Sequence, residues 1–299
     1  MEEPLTPGHP PWWQWLTVLS LDAPLVAVLW QDLFARILGV SLGWHQYALL
    51  GLTVWIVYVA DRWIEGWLLS ADNVHTQRHS FYIRWRWPVF GLGVAAAAFC
   101  AFIVFTRLGP REWMAGVVLI IPVLIYLLSH QLVHRHNPWR VPKEICIAVI
   151  FCLGTTLAPV VIALPADLRD VHVVNGLLLG RLEPLWVPLG LFGLLCLANL
   201  ALISAWETEV DEKHGQTSIA LQFSGSLRLI RGLPWVLTLL GFLAAFGTHN
   251  LDRIAGLCVA GSGLLLGGLD RLEPKIGRES ARTLVDLALL TPAVALLFL

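Results

Sequence analysis

Charged side chains are scarce in this chain. Asp, Glu, Lys and Arg supply 14% of its 299 residues, where a soluble domain carries roughly a quarter. That shortage excludes an enzyme with an ordinary hydrated surface. Clustered cysteine is lacking too. Cys100, Cys146, Cys152, Cys196 and Cys258 are scattered; their spacing suits no metal site, and packing thiols are the expectation. The first fifteen residues hold Glu2, Glu3 and four prolines but no Lys or Arg, the wrong charge for a secretory signal. Low-complexity segments, soluble appendages and nucleic-acid signatures are also missing, so no nucleic acid is expected among the partners.

What is present is hydrophobicity. Apolar residues make up 57% of the chain, mean hydropathy is +0.70, and there are 15 tryptophans. About 20 apolar residues cross a bilayer as a helix. Such runs fall near 16–39, 45–68, 87–106, 113–133, 143–164, 185–206, 233–248, 251–269 and 281–299. The expected fold class is therefore all-α: a polytopic membrane protein, a bundle of about nine transmembrane helices. Trp12, Trp13 and Trp15 read as an interfacial anchor. The expected organisation is an N-terminal interfacial segment, 1–15, and a single integral-membrane domain, 16–299.

Orientation follows from the basic residues. With the N-terminus inside, Arg62, Arg78, Arg84, Arg86, Arg135, Arg140, Lys143, Lys213, Arg228, Arg231, Arg271, Lys275, Arg278 and Arg282 share one side, fourteen in all. Six lie on the other: Arg36, Arg107, Arg111, Arg169, Arg181 and Arg253. The fourteen-residue side is expected to be cytoplasmic. The expected location is the bacterial inner (plasma) membrane.

Two acidic pairs break the apolar pattern, both on that side. Asp61 and Glu65 close the second span; Glu207 and Asp211 close the sixth. Residues four apart on a helix face the same way, so each pair sets like charges one turn apart. A shared divalent cation relieves that repulsion. Two such pairs facing across a bundle make an oxygen-rich site suited to Mg²⁺ carrying a diphosphate. Each pair is followed by a polar loop with basic residues, a repeated device that hints at duplication. The bland alternative for one pair is a solvated helix end; two pairs shift the balance to a metal–diphosphate site.

The chain resembles the UbiA superfamily of intramembrane prenyltransferases. These have nine helices and two aspartate-rich motifs, after the second and sixth spans. Asp61 and Glu65 fall on the last two acids of the first motif, NDxxDxxxD. Glu207, Asp211, Gly215 and Ser218 fall on the second, approximately DxxxDxxxGxxT. Arg78 matches an arginine in the loop after the first motif, and Tyr126 with His130 falls near a Tyr/Lys pair ending the fourth span. Val57 stands where the motif has asparagine, and His130 where lysine is usual. Altered metal geometry, a distinct reaction and loss of catalysis all remain open on that account.

The resemblance implies a cytoplasm-facing central cavity and Mg²⁺-dependent transfer of a prenyl group. The partners would be a polyprenyl diphosphate, a lipophilic or aromatic acceptor and membrane lipid. Asp61, Glu65, Glu207 and Asp211 are the expected metal ligands and catalytic residues. Arg78, Lys213, Tyr126, His130 and Ser218 are the expected substrate-binding residues. Aromatic faces would stabilise an allylic cation, with Tyr58, Trp63, Trp67, Tyr126 and Trp206 as candidates. Alternatives are a terpene cyclase of the same superfamily, a transporter or non-enzymatic membrane protein, and an oxygenase. The last would draw on His75, His79, His130, His134, His136 and His214, although the HxxHH run of such enzymes is absent.

Overall fold

A computed structural model describes residues 11–68, 77–128, 142–164, 171–208, 212, 218–223, 225–247 and 251–297. Side chains of residues 65–68, 77–80, 127–128 and 171–179 fall outside the description. The helices are α1 (Trp15–Val18), α2 (Asp22–Ile37), α3 (Trp44–Leu68), α4 (Gln77–Arg84), α5 (Arg86–Arg107) and α6 (Pro110–Leu128). They continue as α7 (Lys143–Ala163), α8 (Val171–Trp206), α9 (Ile219–Gln222), α10 (Leu227–Gly247), α11 (Leu251–Ile276), α12 (Arg278–Leu287) and α13 (Thr291–Leu296).

The protein is an all-helical, polytopic membrane protein. Among the described residues six helices are long and apolar enough to cross a bilayer, or seven if α1 and α2 count as one bent span. In a bilayer each backbone amide must be satisfied within its own segment, which is why apolar runs of this length become helices. Phe99, Phe102, Phe105, Val118, Ile121 and Ile125 on α5 and α6 are exposed, as a lipid-facing surface requires.

The expected runs differ from the helices where polar residues interrupt an apolar stretch. The first is not straight: α1 and α2 meet at 81°, and Ser20 between them takes a left-handed φ of 58°. The sixth helix begins at Val171, before the expected 185, because Arg181, Glu183 and Pro184 mask the run in the sequence. Arg181 donates to the Ala163 carbonyl at 2.9 Å, so this charge satisfies the end of α7. The last run divides into α12, a 3-10 turn (Ala288–Leu290) and α13.

Helix α8 lies at the centre and packs on α2, α7, α10, α11 and α12. Trp30 of α2 stacks on Phe192 of α8 at 4.4 Å between ring centroids and donates its indole N–H to the Leu289 carbonyl at 3.0 Å. That one side chain ties the first long helix to the last turns of the chain. Helices α10 and α11 approach through glycine. A Cβ at Gly241 would lie 2.6 Å from the Ala260 nitrogen, and one at Gly256 would lie 2.7 Å from the Gly241 carbonyl. Apolar lipid gives helices no hydrophobic reason to associate, so close backbone packing does the work.

Candidate active site

The C-terminal ends of α3, α8 and α11 meet the N-terminal ends of α2, α7 and α12 at one end of the bundle, here the motif end. The opposite end is closed by local polar contacts. Tyr47 donates to Asp32, Gln46 to Glu112 and Arg111 to the Leu164 carbonyl. A separate cavity of about 290 Å³ opens there, between Glu183, Val187, Leu191, Ala244, Asp252 and Gly256.

On α3, Tyr58, Asp61 and Arg62 share a face, three and four residues apart. Arg62 is buried. It donates to the Thr17 carbonyl at 3.3 Å and to the Ser20 hydroxyl, and its guanidinium lies 5.6 Å from the Tyr58 ring centroid. Tyr58, Asp61 and Tyr126 are half-buried rather than sealed. The Tyr126 phenol of α6 is within electrostatic reach of Asp61 and Tyr58, and Tyr58 is within reach of Asp22 and Asp286. These side chains from α2, α3, α6 and α12 therefore lie near one another at the motif end.

The other wall comes from α8 and α12, which run antiparallel. Glu207 at the end of α8 accepts an ion-paired hydrogen bond from Arg282 of α12. Two turns back along α8, Asn199 donates to Asp286 at 3.1 Å and to the Val285 carbonyl at 3.3 Å. Since Arg282 and Asp286 are one turn apart, the wall has two levels. Glu207 and Arg282 lie at the surface level, and Asn199 and Asp286 lie one to two turns deeper.

Ser218 is fully buried as the residue before α9. Glu144, buried in the first turn of α7, accepts from the Ile219 backbone N–H at 3.2 Å. The Ser204 hydroxyl accepts from the Ala220 N–H at 3.4 Å. The chain after the second motif is thus held against α7 and α8 by its backbone amides.

The candidate residues separate into three sets. Asp61 and Tyr126 are together, and Glu207 and Ser218 are described at the same end of the bundle. Glu65 and Arg78 are placed on α3 and α4 by their backbone, with side chains outside the description. Asp211, Lys213 and His130 lie outside the described residues, as does every histidine side chain of the oxygenase reading. Two expected aromatics have structural roles. Trp63 donates to the Arg86 carbonyl at 3.1 Å and stacks on Phe90 at 5.3 Å. Trp206 is buried and donates to Asp270 at 3.0 Å. The Trp67 side chain lies outside the description, and Tyr58 and Tyr126 remain as neighbouring half-buried rings at the motif end.

Sequence reasoning passed over Asp22, Glu144, Asn199, Arg282 and Asp286. The available signal was cost: a carboxylate or amide inside an apolar run is expensive and is kept for a purpose. Among the described residues no three acidic, histidine or cysteine side chains are grouped to hold a metal. Asp61 and Glu207 are nonetheless hard oxygen donors of the kind Mg²⁺ takes, and Glu207 already holds a cation in Arg282.

No protein-family model and no curated protein matches the sequence. A solved structure does match in shape: the apo structure of a UbiA homolog from Aeropyrum pernix K1. It is 12% identical, with a TM-score of 0.61, over 93% of this chain and 98% of that one. At that identity the likeness is one of backbone path. The protein has the fold of a UbiA homolog.

Proposed function

We propose that this protein is an intramembrane prenyltransferase. It would move a prenyl group from a polyprenyl diphosphate to a lipophilic or aromatic acceptor. The observation that supports it best is the grouping of Asp61, Tyr58 and Tyr126 at the motif end of a bundle with the fold of a UbiA homolog. Ionising an allylic diphosphate separates a diphosphate anion from a carbocation, so the site needs positive charge at one level and electron-rich faces below. Asp61 and Glu207, joined by the expected Glu65 and Asp211, would hold Mg²⁺. The metal would supply the positive charge that the departing diphosphate requires.

Arg282 adds a preorganised donor. Its pairing with Glu207 fixes the guanidinium at the surface level, where it can contact diphosphate oxygens with charge-assisted hydrogen bonds. Arg78 and Lys213 would serve the same anion. The faces of Tyr58 and Tyr126 would stabilise the cation, and the apolar lining would keep water from quenching it. The motif end would face the bacterial cytoplasm, where soluble diphosphates and Mg²⁺ are found, and residues 16–299 would act as one domain behind an interfacial N-terminus.

The test incubates membranes containing the protein with radiolabelled geranylgeranyl diphosphate and a lipid extract, with and without Mg²⁺. Label moving to an acceptor only with Mg²⁺ supports transfer. A hydrocarbon or alcohol made from the diphosphate alone replaces transfer with cyclisation. No consumption of prenyl diphosphates of any chain length overturns the proposal.

A further inference from the structure

The deeper level of the site holds chemistry that ionising a diphosphate does not use. Both transfer to an acceptor and ring closure end by shedding a proton. In transfer, the C1–O bond breaks and its electron pair leaves with the diphosphate. The acceptor atom then bonds to C1, and the proton it carried must go to a base. In ring closure, the last carbocation loses a C–H proton. A diphosphate at the surface level lies on the far side of the reacting carbon from the acceptor, so the base belongs one level down.

We propose that Asp286 is that base, an inference that rests on the prenyl-transfer reading above. Asp286 is half-buried at the deeper level of the site, with its carboxylate enclosed by side chains from the helices around it. Groups from three neighbouring helices and from its own lie near it. Asn199 of α8 donates to one of its oxygens at 3.1 Å. Arg62 of α3, Arg282 of α12 and Asp22 of α2 lie within electrostatic reach, as does Tyr58 of α3. Asn199 orients the carboxylate and leaves its other oxygen for the proton.

A second observation points the same way. The Oδ2 of Asp22, on a residue 2% exposed, and the Oδ1 of Asn199, on one 5% exposed, find no hydrogen-bond donor. Buried acceptors without donors are costly and uncommon. A hydroxyl or other polar group on a bound acceptor supplies the missing donor at the level of Asp286.

The experiment uses full-length protein in membranes with Mg²⁺, radiolabelled geranylgeranyl diphosphate and lipid extract. Inorganic diphosphate release and labelled products are measured separately. Asp286→Asn preserves shape and still accepts from Asn199. It is expected to leave diphosphate release within a few-fold of wild type while prenylated or cyclised product falls about 100-fold and prenyl alcohol, from water capture of the cation, takes its place. Asp286→Glu restores a carboxylate on a longer stem and is expected to recover part of the product. Unchanged partition between product and alcohol in Asp286→Asn overturns the proposal. So does loss of both readouts in Asp286→Asn together with their loss in Asp286→Glu, since that marks a structural carboxylate. If the wild-type protein itself releases no diphosphate, the prenyl-transfer reading fails and this inference falls with it.

Discussion

Arg282 and Glu207 test whether an ion pair serves structure or substrate. Their side chains are 27% and 22% exposed, and pairs open to water contribute only about 0–1 kcal/mol. Arg282→Gln is therefore expected to shift thermal unfolding by a few degrees at most, while KM for the prenyl diphosphate rises about tenfold. A large fall in melting temperature with unchanged KM would assign the pair to packing. Val57 offers the complementary test. It is half-buried on α3, one turn before Asp61. Val57→Asn sets an amide oxygen beside the carboxylate and is expected to preserve or raise the apparent Mg²⁺ affinity. A drop in turnover at unchanged Mg²⁺ dependence would show that Val57 packs on the substrate. At this scale the placement of Asp61 and Glu207 at one end of the bundle was legible, because each closes a long apolar run. Asp286 was not legible. It lies inside the last apolar run, and the partner that explains it, Asn199, is 87 residues away.

The α10–α11 contact carries the clearest prediction about elements. Gly241→Ala drives a methyl to within 2.6 Å of backbone that cannot rotate aside, so the helices must separate. Overpacking of this kind costs about 1–3 kcal/mol. Melting in detergent is expected to drop by several degrees and more steeply for Gly256→Ala added to it. Gly232→Ala, on the same helix with nothing within 4 Å, is the control and is expected to be neutral or slightly stabilising. Equal melting temperatures for Gly241→Ala and Gly232→Ala would mean that this contact contributes little. Most helix positions were readable in advance from run length, although among the described residues six or seven spans, not nine, are long and apolar enough to cross a bilayer. Which helices touch was not, since the signal is a matching of glycines between two segments rather than a pattern within one. The extension of α8 to Val171 was hidden for another reason. Arg181 and Glu183 depress local hydropathy, although Arg181 is used to satisfy the end of α7.

For the whole molecule, the asymmetry of fourteen basic residues against six makes orientation measurable. Of the introduced cysteines Ser80→Cys and Gln222→Cys at the motif end, and Gly109→Cys at the other, the first two are expected to react with an impermeant maleimide only in inverted vesicles. The third is expected to react in intact cells. The reverse pattern would place the site away from cytoplasmic Mg²⁺ and remove the basis of the functional proposal. The overall bundle was legible because composition and run length act on every residue at once. The grouping at the motif end was not, because it draws single residues from helices α2, α3, α6 and α12, which are far apart in the sequence.

Ser20 has a consequence for motion that its place between α1 and α2 does not suggest. Its single hydroxyl meets both Arg62 at the end of α3 and the Tyr82 hydroxyl of α4, the latter at 2.8 Å. Helices α3 and α4 are thus both held to one atom of the bend between α1 and α2. Ser20→Ala would release both feet at once. The N-terminal bend thus works as a clasp on α3 and α4, and losing one hydroxyl is expected to loosen two helices together.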